Sequence, residues 1–480
     1  LKEIVRYPLG VKGVSGEEFL EVKSPYSHEV IAAIGQADEK SIDKAITSAQ
    51  HCFASIMRHM PAYKRSEILA KTSQLIEKNA DDLAKTICLE GGKPLKDARI
   101  EVQRAQGTFA VASELAMHLE GEHIPMDRAP GNESRLALVL REPLGIVGAI
   151  TPFNFPLNLV AHKVAPAIAS GNVIVLKPSS QTPISSLKLR ALLIESGLPE
   201  DALQIIPCRG AKGQKLVTDS RIAMLTFTGS AQVGWDLRKQ IAPGVRIVLE
   251  LGGNAGVIVH DDADVIQAVK AICRGGYSNA GQSCISVQRV YVQEKIYDKF
   301  LKDFSSAVKS LKVGDPLEES TDVGPVIDEP SAIKTVEWIQ QAEKAGAKVQ
   351  AGGKIISKNL MEPTVLSDTK PEMNVVCQEI FGPVVTVMKY GTIDEAIAAV
   401  NDSRYGLQSA IFTKNLEIAF KAARQIDAGG VIINDPSTFR ADHMPYGGRK
   451  ESGIGLEGVR YAIHELTQPK FICLNLPPLT

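Results

Sequence analysis

Two hydrophobic periodicities divide the chain. In "KSIDKAITSAQHCFASIM" apolar side chains fall at Ile42, Ala45, Ile46, Ala49, Phe53 and Ile56, the spacing of one helical face. "KRSEILAKTSQLIEKNADDLAKTI" repeats that spacing and runs to Gly91-Gly92, a pair suited to ending a helix. The first ~120 residues therefore predict mainly amphipathic helices. From residue 144 the texture changes. Compact apolar runs at 144–150 ("LGIVGAI"), 173–176 ("VIVL"), 203–206 ("LQII"), 223–227 ("AMLTF") and 246–251 ("RIVLEL") alternate with helical stretches. That alternation predicts βαβ units and a parallel sheet buried on both faces. A second series follows: "QRVYVQ", a helix near 295–311, "AKVQAGG", "VVTVMKY", a helix from 394, "SAIFT", a helix from 415 and "GGVIIN". Two α/β domains in series are expected, with "TQPKFICLNLP" as a terminal strand.

Size agrees with this, since 480 residues exceed one ordinary core. Charge narrows the function: 54 basic residues meet 55 acidic ones, and no long run has one sign. Nucleic acid and anionic membrane are not the expected partners. No apolar stretch reaches the ~18 residues of a membrane span, and "LKEIVRYPLG" does not read as a signal peptide. The seven cysteines (52, 88, 208, 273, 284, 377 and 473) are irregularly spaced, without C-x-x-C, and H-E-x-x-H is absent. Neither a disulfide framework nor a metal site is expected, and the default setting is the cytoplasm.

One cysteine stands apart. Cys284, in "NAGQSCIS", follows small and polar residues rather than an apolar run. A free cysteine is usually a small buried hydrophobe, so this setting needs company to mean chemistry. "TPFNFPLNL" supplies Asn154 just after the strand at 144–150, where ligand sites of parallel sheets gather. Its amide is a neutral donor able to hold an oxyanion. Lys177 in "VLKPSS" and Glu250 in "LELGGN" end predicted strands; Gly229 and Ser230 in "FTGSAQVG" join a strand to a helix, a place for phosphate. Three other patterns are set aside. "GIGLEG" matches a dinucleotide fingerprint but follows a polar loop; "SSLK" (Ser185, Lys188) reads as surface helix; His162 reads as a structural histidine rather than a base for Cys284.

Taken together, "PFNFP", "KPS", "FTGS", "LELGG", "GQSC", "EIFGPV" and "PYGGRKESG" occur in an order and spacing that resemble the aldehyde dehydrogenase superfamily over essentially the whole chain. The resemblance implies a Rossmann-like cofactor domain (1–122 and 144–251), an α/β catalytic domain (252–447) and a small bridging β-sheet (123–143 with 466–480) that makes a homodimer or homotetramer. It implies Cys284 as nucleophile, Asn154 and the Cys284 N–H as oxyanion donors, and Glu250 as the base that hydrolyses a thioester. Lys177, Glu379, Phe381, Gly229, Ser230, Thr151 and Phe153 would hold NADP or NAD, with Lys177 also counted among the catalytic residues. Asn158, Arg104, Arg289 and Arg440 would face the substrate, although an arginine at 289 is common across the family.

Departures from the family pattern refine these expectations. NAD-specific members usually carry a glutamate three residues after the lysine equivalent to Lys177; here it is Ser180, which favours NADP or dual use, with Arg209 and Lys212 as possible sources of charge. Arg440 and Arg104 suit a polar or anionic tail opposite the aldehyde. Ser283 stands where phosphate- and phosphonate-aldehyde relatives often have arginine. "PFNFPLNLVAHK" and "GGVIIND" look most like the lactaldehyde and non-phosphorylating glyceraldehyde-3-phosphate branch. A coenzyme A-acylating dehydrogenase and succinate-semialdehyde or phosphonoacetaldehyde dehydrogenases are the alternatives, the first disfavoured by Glu250.

Overall fold

The fold is that of a computed structural model describing residues 5–11 and 18–476. Residues 1–4, 12–17 and 477–480, included in the outer segments expected above, lie outside it. The run at 144–150 forms the strand Ile146–Ile150, in the middle of a six-stranded sheet. Val173–Lys177 and Leu203–Ile205 lie on one side of it, Ile222–Thr228 and Arg246–Glu250 on the other, all parallel. The chain thus winds outward one way, then returns and winds the other. Such a reversal opens a crevice at the carboxyl ends of the strands beside it. The last strand, Gly453–Ile454, runs antiparallel against Leu249 and Glu250 and comes from "GIGLEG". Gly453 lies so close to its neighbour that a Cβ there would sit 2.1 Å from the Leu249 carbonyl oxygen.

The second series builds a seven-stranded sheet in the order Lys348–Ala351, Thr364–Ser367, Val384–Tyr390, Val287–Gln293, Ala255–Val259, Gln408–Phe412 and Gly430–Ile433. Only Lys348–Ala351 is antiparallel to its neighbour. Ala255–Val259, buried at every position, is a strand the sequence reading passed over. It is a short apolar run directly behind two glycines, with no alternation to mark it. Thr467–Asn475 is the expected terminal strand and pairs with Arg135–Pro143, which in turn pairs with Glu122–Pro125.

The amino-terminal region needs two corrections. Val5–Tyr7, Phe19–Lys23 and Val30–Gly35 form a small sheet before the first helix, Glu39–Ser55. Leu20 and Val22 alternate inward and pack on Ala32, Ile34 and Ile184, a period of two that the helical texture around it obscured. The helix expected to run to Gly91 breaks at Asn79 into Ala62–Lys78 and Ala80–Gly91. Gly92 does end the second piece, in the left-handed conformation that favours glycine. Among the described residues no helix is long and apolar enough to cross a membrane.

Candidate active site

A cavity of about 960 Å³ opens at the switch point of the first sheet and reaches Cys284. Thr151, Phe153, Asn154, Lys177, Ser180, Gly229 and Ser230 line it from the first sheet, and Glu379 and Phe381 from the loop before the strand Val384–Tyr390. Asn158, Arg104 and Arg440 line it as well, but Glu250 and Arg289 do not.

The loop that presents Cys284 is unusual backbone. After the helix Val265–Tyr277, three consecutive residues, Asn279, Ala280 and Gly281, have φ of 50°, 54° and 71°. That left-handed run is costly for non-glycine residues and is held by the Asn279 side chain. Its Nδ2 donates to the Asn154 carbonyl at 3.2 Å and to the Gln282 carbonyl at 3.3 Å. Asn154 Nδ2 donates to the same Gln282 oxygen at 3.0 Å. Two strand-end loops are laced together in this way. The second amide hydrogen of Asn154 and the backbone N–H of Cys284 have no acceptor among the described residues. The Cys284 Sγ lies 3.0 Å from the Tyr446 hydroxyl. Burial pushes the thiol up to about 12, while the Tyr446 hydrogen bond and the Arg440 cation pull it back.

On the other side of the cavity, the rings of Phe153 and Phe381 meet edge to face at 5.8 Å. Glu379 accepts a hydrogen bond from Gly253 N at 3.0 Å, and burial raises its carboxyl to about 7. Lys177 is half-buried at its strand end; its ammonium makes no hydrogen bond within the described residues and is depressed by desolvation. Ser230 caps the helix Ala231–Arg238 without a side-chain bond. Arg209 and Lys212 do not line the cavity, and Lys212 pairs instead with Glu18 at 2.6 Å.

Behind the wall lies a cluster of buried charge. Glu457 accepts from Lys163 at 3.1 Å and from Arg440 at 2.9 Å. Burial works against its ionisation, yet the two cations hold it at about 2. Glu250 has neither cation in contact, and both its oxygens lack a hydrogen bond among the described residues. Burial first, then the neighbouring Glu457, raises its carboxyl well above the ordinary range. The Arg440 guanidinium also lies 3.6 Å from the centre of the Tyr446 ring. Arg104 binds Asp442 at 2.7 Å, and Asp442 also receives Asn158 at 3.3 Å and His162 at 2.8 Å. His162 is thereby tied into a structural hub. Ser185, read as surface, is buried and bonded to Glu90.

Arg289 is the clear misplacement. Its guanidinium is buried and spent on the carbonyls of Asn254, Ala399 and Val400 and on the Tyr291 hydroxyl, stitching the second sheet to its helix. It sits within the strand Val287–Gln293, where alternation turns it away from the cavity. Tyr446, Glu457, Lys163 and Asp442 were missed, because nothing in the local sequence says that Tyr446 meets Cys284, that Lys163 and Arg440 meet on Glu457, or that Arg104 and His162 meet on Asp442.

The cavity walls suit a dinucleotide. Lys177 offers an ammonium with no acceptor among the described residues, and Glu379 offers a buried carboxyl that burial raises to about 7. Gly252 passes so near Glu379 that a Cβ would lie 2.3 Å from the carboxylate. Fold and cleft thus define a nucleotide-dependent α/β enzyme with a thiol inside its cavity. The match of residues 11–472 to the aldehyde dehydrogenase family is decisive, and the chain belongs to that family.

The chain is 43% identical over 480 residues to the 3-sulfolactaldehyde dehydrogenase of Priestia aryabhattai, covering 99% of each. Among solved structures it is similar to aldehyde dehydrogenase 21 of Physcomitrella patens with the reaction product succinate (TM-score 0.95, 42% identity, 98% of each chain). It is also similar to the glyceraldehyde-3-phosphate dehydrogenase of Methanocaldococcus jannaschii with NADP (TM-score 0.91, 40% identity, 96% of this chain and 99% of that one). The protein is an NAD(P)-dependent aldehyde dehydrogenase, and its cofactor is NADP or NAD.

Proposed function

We propose that the enzyme oxidises a short aldehyde bearing a hydroxyl or an anion at its far end to the carboxylic acid. The observation that carries the chemistry is Cys284 beside two uncommitted donors, its own N–H and the Asn154 amide. The Cys284 thiolate, receiving a hydrogen bond from Tyr446, attacks the aldehyde carbon. The C–S bond forms as the carbonyl oxygen takes the negative charge, and the two donors hold that oxygen. Lys177, Glu379, Gly229 and Ser230 would hold NAD(P)⁺, which would supply the hydride acceptor; loss of hydride from the carbon of the Cys284 adduct leaves a thioester. Glu250 rotates toward the cavity and takes a proton from water. The water oxygen bonds to the acyl carbon, the C–S bond breaks and the sulfur leaves as thiolate.

Burial raises the Glu250 carboxyl, which makes its carboxylate a stronger base for that step. Cys284→Ala should abolish turnover. Glu250→Gln should release one equivalent of reduced cofactor and then stall, losing about 10²–10⁴-fold in steady state. A Glu250→Gln enzyme at wild-type rate refutes the assignment. Acyl-CoA formed on adding coenzyme A would move the enzyme to the acylating class.

The anionic tail is supported by Arg440, almost fully buried, and Arg104, half-buried, on the cavity wall. The three relatives point the same way: their names carry a sulfonate, a dicarboxylate and a phosphate. A panel of 3-sulfolactaldehyde, succinate semialdehyde, glyceraldehyde 3-phosphate, phosphonoacetaldehyde and uncharged lactaldehyde orders the candidates. With Ser180 in place of a carboxylate, NADP is the preferred cofactor. Leu138, Leu140, Phe471 and Leu474, exposed on the three-stranded sheet, support a homodimer or homotetramer. Seven free cysteines suit the reducing cytoplasm.

A further inference from the structure

Beyond the inner arginines, the cavity has a rim of its own. The helix Val265–Tyr277 turns Gln267, Lys270, Ala271, Arg274 and Gly275 toward the cavity. Those positions follow helical spacing, so a single face of the helix forms one wall. The wall is tied down at its carboxyl end. A Cβ on Gly275 would touch Pro436 at 2.8 Å, against the loop that leads to Arg440. Ser278, just past the helix, donates to Asp97 on the helix Leu95–Ala116 at 2.8 Å. Arg104, Arg440 and this wall therefore surround one entrance.

The cations around that entrance differ in one respect. Arg104 is paired with Asp442, Arg440 with Glu457 and Lys93 with Glu101. Lys270 and Arg274, one helical turn apart and exposed, make no salt bridge or hydrogen bond among the described residues. Two acidic residues share the entrance: Asp97, occupied by Ser278 and the Asn279 N–H, and Asp435, while the Lys270 and Arg274 side chains have no carboxylate in contact among the described residues. We propose that Lys270 and Arg274 form an electrostatic collar that draws anionic aldehydes to the mouth and passes them to Arg104 and Arg440. This rests on the anionic-tail reading above. Cations without a carboxylate in contact at a mouth set in a low-dielectric wall raise the local concentration of opposite charge and speed capture, and salt weakens the effect over the Debye length. Uncharged aldehydes pass without benefit.

The test compares 3-sulfolactaldehyde with lactaldehyde, which differ by the sulfonate, at saturating cofactor and from low to high salt. For wild type, kcat/KM on 3-sulfolactaldehyde should fall with salt, and on lactaldehyde it should stay flat. In the double variant Lys270→Gln/Arg274→Gln, the low-salt value on 3-sulfolactaldehyde should drop roughly 3- to 10-fold and lose its salt slope, with kcat unchanged. Lys270→Glu/Arg274→Glu should reverse the slope, which also guards against a merely damaged helix. The collar is overturned if the doubly neutral variant keeps the wild-type slope, or if lactaldehyde shows the same changes. A wild-type enzyme that does not prefer 3-sulfolactaldehyde to lactaldehyde sinks the tail reading, and the collar with it. A preference that survives intact, slope included, in the neutral variant sinks the collar alone.

Discussion

Replacing Arg440 with glutamine should act on two levels, because this side chain has two sets of neighbours. Toward the protein it donates to Glu457 at 2.9 Å and covers the Tyr446 ring, whose hydroxyl touches the Cys284 sulfur. It also lines the cavity and keeps a buried Nε without an acceptor among the described residues. Removing one partner of a buried pair costs about 3–5 kcal/mol when the other is stranded. Here Lys163 still holds Glu457, so about 2–3 kcal/mol of stability is the reasoned loss. Losing the cation beside Tyr446 should lower efficiency on propanal by some factor, since Arg440 holds the Cys284 thiol down and less thiolate is present without it. An anionic aldehyde should lose that factor and a further ~10-fold or more, for the charge-assisted hydrogen bond to its tail.

Arg440 also lowers the Glu250 carboxyl. Without it the acid limb of the kcat profile, where deacylation limits, should move to higher pH, because removing a nearby positive charge disfavours the carboxylate. The assays are denaturant unfolding, kcat/KM on propanal and 3-sulfolactaldehyde, and kcat against pH. Equal losses on both aldehydes refute tail recognition by Arg440. An unchanged rate on propanal refutes the link through Tyr446.

Two further outcomes follow from the same geometry. Ser180→Glu should raise the KM for NADP roughly tenfold more than that for NAD, since an uncompensated like charge commonly costs a few kcal/mol; equal effects would remove position 180 from the ribose. Tyr446→Phe should slow alkylation of Cys284 by iodoacetamide at any pH below about 12, because a group that lowers the thiol's pKa is lost and less thiolate is present. An unchanged alkylation rate with intact folding would mean the hydroxyl does not serve the sulfur.

The sequence by itself determined the alternation of short apolar runs with helices, and hence the two sheets, because buried parallel strands must be apolar on both faces. It also determined which residues stand at strand ends: Asn154, Lys177 and Glu250 follow directly from where the apolar runs stop. Cys284 stood out because small neighbours mark a backbone that must turn sharply, and the left-handed residues 279–281 are that turn. Tertiary structure alone decided the rest. Arg289 and Arg440 look alike in the sequence, yet one is consumed by carbonyls inside a sheet and the other faces the cavity. Which carboxylate of the buried pair is ionised depends on two cations reaching Glu457 from 294 and 17 residues away. Those energies arise from distance and desolvation, quantities that exist only once the chain has closed on itself.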